Sequence, residues 1–94
     1  MPRPTKILRR TSQFKRDYKR ARKRGRDLDK LRAVVEALAA GRVLEERFRD
    51  HALLGGYKGS RECHLEPDWL LIYEAAADEV ILIRTGTHAD LFGR

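Results

Sequence analysis

Cys63 is the chain's only cysteine, so no intramolecular disulfide can form and the small secreted disulfide scaffolds are excluded. A reducing cytoplasm is the expected setting. No apolar run approaches the roughly 20 residues that span a bilayer, and "MPRPTKILRR" lacks the apolar core of a signal peptide, so a soluble protein with no membrane partner is expected. The 94 residues leave no room for a second core, and residues 1–94 are read as one domain. There is no Gly-rich phosphate loop before a helix and no Ser-centred nucleophile elbow. His51, Cys63, His64 and His88 lack the short paired spacing of a zinc site, and Cys63 and His64, adjacent on a strand, would point to opposite faces. No metal and no cofactor are therefore expected.

Negative charge is also in the minority. Lys and Arg number 21 against 14 Asp and Glu, a net charge of +7, which points to an anionic partner, with nucleic acid first among them. "TKILRRT" reads as a first strand, after which Thr11 or Ser12 can cap a helix. From Ser12 to Arg24, Phe14, Tyr18 and Ala21 recur at spacings of four and three, one face of a very basic helix. Gly25 interrupts it. Asp27 can cap a second helix carrying Leu28, Leu31, Val34, Val35 and Leu38, which ends at Gly41. The segment "FRDHALLGGYKGSR" reads as a surface loop entering a strand. "SRECHL", "WLLIYEA" and "VILIRTG" then read as three strands joined by the turns "EPD" and "AAD". The expected fold is a small α/β (α+β) domain: an N-terminal strand, a two-helix hairpin, then a three-stranded antiparallel meander completing the sheet.

With turns at Glu66 to Asp68 and Ala76 to Asp78, antiparallel pairing puts His64 opposite Trp69 and Trp69 opposite Arg84. Past Arg84, Gly86 lets "TGTH" change direction, so that a loop carrying His88 can fold over the same edge, with Phe92 four residues on. His64, Asp68, Trp69, Arg84, His88 and Phe92 then gather at one end of the sheet, and His51 can join from the preceding loop. Each has a plainer explanation: Trp69 and Phe92 as packing, Asp68 as a turn residue, Arg84 in an exposed ion pair worth about 0 to 1 kcal/mol.

Together these residues suit RNA cleavage without metal. Attack of a ribose 2′-hydroxyl on its own phosphate needs a group to take one proton, a group to give another, and a cation for the growing charge. Imidazole titrates near neutrality and can do either transfer. Arg84 offers a forked donor to phosphate oxygens, and aromatic rings can hold an unstacked base. Lys58 and Arg61, with Arg84, Phe92 and Trp69, complete the candidate RNA-binding set.

"DHALLGGYKGSRECHLEPDWLLIY" followed by "RTGTHADLFG" resembles the YafQ branch of the RelE-like bacterial toxins, and the resemblance covers nearly the whole chain. It implies a ribosome-dependent endoribonuclease that cuts messenger RNA in the A site of the 70S ribosome, as the toxin of a type II toxin–antitoxin pair. His51, His64, Asp68 and His88 would then match the family's acid, base and positioning residues, Arg84 its phosphate-binding arginine, and Phe92 the aromatic that helps seat substrate. The basic helices would contact ribosomal RNA. A small acidic antitoxin would fold over the basic surface. Two readings stand beside this one: a noncatalytic nucleic-acid-binding module, and a toxin of the same fold acting on a protein such as gyrase.

Overall fold

The computed structural model describes residues 5–53 and 59–93. Strand β1 (Ile7–Arg10) leads into helices α1 (Ser12–Lys23) and α2 (Leu28–Ala39). A single 3-10 turn (Glu46–Phe48) precedes β2 (His51–Ala52), β3 (Arg61–Glu66), β4 (Trp69–Ala75), β5 (Glu79–Gly86) and α3 (His88–Phe92). The strands form one sheet in the order β1-β5-β4-β3-β2. β1 runs parallel to β5, and the other neighbours are antiparallel.

Both long helices begin where side-chain oxygens can take up orphaned N–H groups. The Thr11 hydroxyl accepts the Phe14 N–H at 2.9 Å and donates to the Ile83 carbonyl at 2.6 Å, which ties the start of α1 to β5. Asp27 accepts from the amides of Asp29 and Lys30. α1 buries Phe14, Asp17 and Ala21, and α2 buries Leu31, Val34, Leu38 and Ala39.

β4 is the central strand, and the five residues Trp69 to Tyr73 are all buried. Burying each large apolar side chain of this kind contributes roughly 1.5 to 3 kcal/mol. Cys63, Leu65, Leu71, Tyr73, Val80 and Leu82 face the helices, while Leu70 and Ile72 face the other way and pack against Leu91 of α3. Both faces of the strand are therefore covered, as its unbroken apolar run requires.

The sequence expectations need four corrections. His51–Ala52 is a short edge strand, and the 3-10 turn precedes it, where a loop was expected. The stretch carrying His88 is a helix: Thr87 caps it, and Thr87 and Asp90 satisfy each other's backbone amides in a capping box. The register also differs. His64 pairs with Leu70 and Trp69 with Glu66, so Trp69 turns to the helix side, and Arg84 lies opposite Ile72. Lastly, between the pairs Tyr73–Leu82 and Ile72–Arg84, β4 advances one residue and β5 two. The extra residue is a bulge, which re-aims the side chains beside it.

The bulge directs Arg84 at Asp17, whose side chain is fully buried. Arg84 donates from Nε and Nη2, each at 3.0 Å, and the Thr85 amide donates at 3.2 Å. Gln13 and Arg20 each donate to the same carboxylate at 3.1 Å. Removing one partner of such a pair leaves uncompensated buried polar groups. Asp17→Ala is expected to cost about 3 kcal/mol or more. Urea unfolding checks this: the midpoint should fall with the m value unchanged.

Candidate active site

The edge strand β2 pairs His51 directly with Glu62 of β3, and His51 Nε2 lies 3.0 Å from the buried Glu62 carboxylate. His64 follows two residues after Glu62, on the same face of β3. The His51 and His64 ring centroids are 6.3 Å apart. His88 approaches His64 from α3 at 5.9 Å, in an edge-on arrangement, and Phe92 lies one helical turn beyond His88 at 6.5 Å. Four rings from two strands and a helix thus make one row, although His51 and Phe92 are far apart in the sequence.

Pro67 and Asp68 form the turn between β3 and β4. Asp68 Oδ1 accepts the His88 backbone N–H at 2.9 Å and contacts the His88 ring at Nδ1, 2.6 Å away. With Nδ1–H donating to the carboxylate, the remaining ring nitrogen, Nε2, can accept or give a proton. His51 differs: its Nδ1 faces the Ala52 carbonyl at 3.2 Å and its Nε2 faces Glu62. It has no ring nitrogen to offer substrate unless one of these contacts breaks.

Two carboxylates hold the start of α3 in place, Asp68 through the His88 amide and Asp90 through the capping box. Arg24 donates to Asp90 at 2.6 and 3.2 Å, and this bond, the largest influence, holds the Asp90 carboxyl well below the ordinary carboxylate range. A Cβ on Gly86 would lie 2.9 Å from Asp90 Cβ and 3.1 Å from Arg20 Nη2, so only glycine permits this approach. Gly86 therefore fixes where His88 begins.

The structure brings together His51, His64, Asp68, His88 and Phe92 from the expected set. Arg84 points its Nε and Nη2 at Asp17 of α1. Arg61 pairs with Asp50 at 3.0 Å, and Asp50 also accepts the Tyr73 hydroxyl at 2.7 Å. Lys58 falls outside the described residues. Trp69 is corrected from RNA contact to core: it is 1% exposed, packs with the helices, and has the Arg26 guanidinium 5.5 Å over its ring. A base cannot reach a ring covered on this side by protein.

Sequence reasoning missed Asp17 and Glu62. Asp17 carries a signal, as the lone acid in an otherwise basic helix on the Phe14–Ala21 face; Glu62 carries none, because only the β2–β3 register places it beside His51. His51, Glu62 and His64 also offer ligand atoms within 4.8 Å of one another. Two imidazoles and a carboxylate form a set that suits transition metals, which the sequence spacing did not suggest.

A family model described as the bacterial toxin of type II toxin–antitoxin systems, YafQ, matches residues 6–93. The chain is 42% identical over 84 residues to the mRNA interferase toxin YafQ of Escherichia coli strain K12, covering 88% of this chain and 91% of the relative. The crystal structure of the E. coli DinJ–YafQ toxin–antitoxin complex matches with a TM-score of 0.88 at 39% identity, covering 95% of this chain and 99% of that one. A metal-bound toxin from Helicobacter pylori matches with a TM-score of 0.85 at 40% identity, covering 92% and 98%.

The His88 backbone N–H first, and the His88 ring second, lower the Asp68 carboxyl below the ordinary aspartate value. A depressed carboxyl contributes its bond above the free-aspartate pKa and loses it as pH falls through the folded value. The Asp68–His88 contact therefore persists below the pH at which a free aspartate protonates. Carboxyl-carbon NMR should show Asp68 titrating below a free aspartate. His88→Ala, which keeps the backbone amide but removes the ring, should move the midpoint part of the way back.

Proposed function

The chain belongs to the YafQ family of bacterial type II toxin–antitoxin toxins, and from that premise we propose that it is an endoribonuclease that cuts messenger RNA in the ribosomal A site without a metal. The observation that carries the reading is the His64–His88–Phe92 row with Asp68 at 2.6 Å from His88 Nδ1. It supplies two imidazoles, a carboxylate that orients one of them, and an aromatic ring beside the pair.

In the proposed reaction one imidazole takes the proton of the 2′-hydroxyl. The 2′-oxygen attacks the adjacent phosphorus, and the bond to the 5′-oxygen breaks as the second imidazole protonates it. The products are a 2′,3′-cyclic phosphate and a 5′-hydroxyl. His88 transfers one proton through Nε2 and His64 serves at the other side, while Asp68 holds the His88 ring. His51 on the edge strand and Glu62, two residues before His64 on β3, position His64. Arg84, oriented by Asp17, and Arg61 and Lys58 contribute to phosphate binding, and Phe92 seats a base. These roles need no ion; a metal on His51, Glu62 and His64 would occupy His64 and remove it from proton transfer.

The ribosome is proposed as the place of action because α1 and the segment after it, "SQFKRDYKRARKRGR", form a basic surface suited to ribosomal RNA. Such binding weakens as salt rises. The same charge suits a small acidic antitoxin that orders on binding. Its covering of the basic surface would silence the enzyme.

The test is to incubate the protein with messenger RNA, with and without translating ribosomes, in chelator, and to map the ends. Codon-phased cuts that need ribosomes, persist in chelator and leave cyclic phosphates are expected. His88→Ala should slow them about 10²- to 10⁴-fold. Cleavage abolished by chelator would overturn the metal-free mechanism, and salt-sensitive binding without cutting would leave a noncatalytic module.

A further inference from the structure

A cleft of about 470 Å3 opens beside the ring row and shares His64 and His88 with it. Its other walls include Lys30, Phe48, Arg49 and Pro67. The volume is within the range of pockets that hold drug-sized ligands, and a nucleotide is of that size. The cations on its wall are not equivalent. Lys30 is engaged by Glu66 at 3.1 Å, and Arg26 neutralises the same carboxylate at 3.0 Å. Arg47 lies 4.6 Å over the Phe48 ring and contacts Glu45 at 3.5 Å. Arg49 is exposed and makes no ion pair with any described residue.

Arg49 is also the one described non-glycine residue with a positive φ, at φ 47 and ψ 48. That region is uncommon for a side-chain-bearing residue and persists where the surroundings hold it. Here they do. Phe48 packs against the main core on one side, and Asp50 on the other is bound by Arg61 and by the Tyr73 hydroxyl. A cation is thus carried on a rigid backbone at the wall of a cleft that contains both candidate proton-transfer groups.

We infer that this cleft seats the nucleotide next to the scissile phosphate, with Arg49 binding a non-bridging oxygen of that neighbouring phosphate. Arg49 is a substrate-positioning residue that does not touch the reacting atoms. The Phe48 wall, with Arg47 stacked on it, borders the space for the base. This inference rests on the proposed ribonuclease reading and adds a subsite to it. A cation outside the proton-transfer row acts on binding more than on the chemical step.

The test uses Arg49→Gly, which accepts the left-handed backbone and deletes the charge, with Arg49→Lys as the charge-restoring variant. A 2′-O-methylated RNA trinucleotide, which cannot be cut, is titrated while the His64 and His88 ring signals are followed by NMR. Arg49→Gly should weaken binding about tenfold and flatten the log-affinity against log-salt slope by about 0.7, the effect of one lost contact to a single strand. Arg49→Lys should recover most of both, and thermal melting should confirm that each variant is folded. In cleavage, Arg49→Gly should raise the half-saturating RNA concentration with little change in the maximal rate, the reverse of His88→Ala.

Unchanged affinity and slope in Arg49→Gly overturn the inference, and if the native protein still cuts RNA the ribonuclease reading survives. A native protein that binds the trinucleotide in an Arg49-dependent way but never cuts RNA supports the cleft and overturns the reaction. Ring signals that do not respond to saturating trinucleotide overturn the cleft outright.

Discussion

Asp17 is a carboxylate with no solvent contact in a helix whose remaining charges are all positive. Left alone in a low-dielectric interior, such a charge would be strongly unfavourable. Its five donors remove that penalty, and in doing so they fix α1 against β5 through both the Arg84 side chain and the Thr85 backbone. Thr85 continues the connection, since its hydroxyl donates to the Leu70 carbonyl at 2.7 Å. One buried charge thereby ties the basic helix to the two central strands of the sheet.

The site follows from that frame. Leu70 lies between His64 and Gly86 in register, and it packs with Leu91 of α3. Gly86 brings the chain against Asp90 and Arg20, Thr87 caps α3, and His88 emerges as the first residue of the helix within reach of the Asp68 turn. Short-range constraints thus set the His88 position at several independent points. A ring held from both its backbone and its Nδ1 keeps little orientational freedom, which suits the proton transfer proposed for it.

The positive charge divides into two kinds. Arg20, Arg24, Arg26 and Lys30 are tied to particular carboxylates and serve the frame, while Arg84 and Arg61 are oriented by their carboxylates and keep the phosphate-binding role proposed for them. The surplus on α1, with Arg49 at the cleft, is turned outward. Net charge therefore says that an anion will be attracted, while the pairing pattern decides which cations are available to meet it.

Much of the frame was legible in the sequence. The capping residues Thr11 and Asp27, the Phe14–Ala21 and Leu31–Leu38 spacings and the apolar runs of β4 and β5 carry their own physical signals, because hydrophobic period and end-capping are local properties. His64, Asp68, His88 and Phe92 could be placed at one end of the sheet from turn positions alone. What sequence could not decide was register and aim. A single-residue shift turned Trp69 from the expected RNA face into the core, and a bulge sent Arg84 to Asp17. Glu62 beside His51, β1 parallel to β5 and the left-handed Arg49 depend on contacts between segments distant in the chain. A side chain's face alternates with every residue along a strand, so its surroundings are settled only when the partner strand is in place.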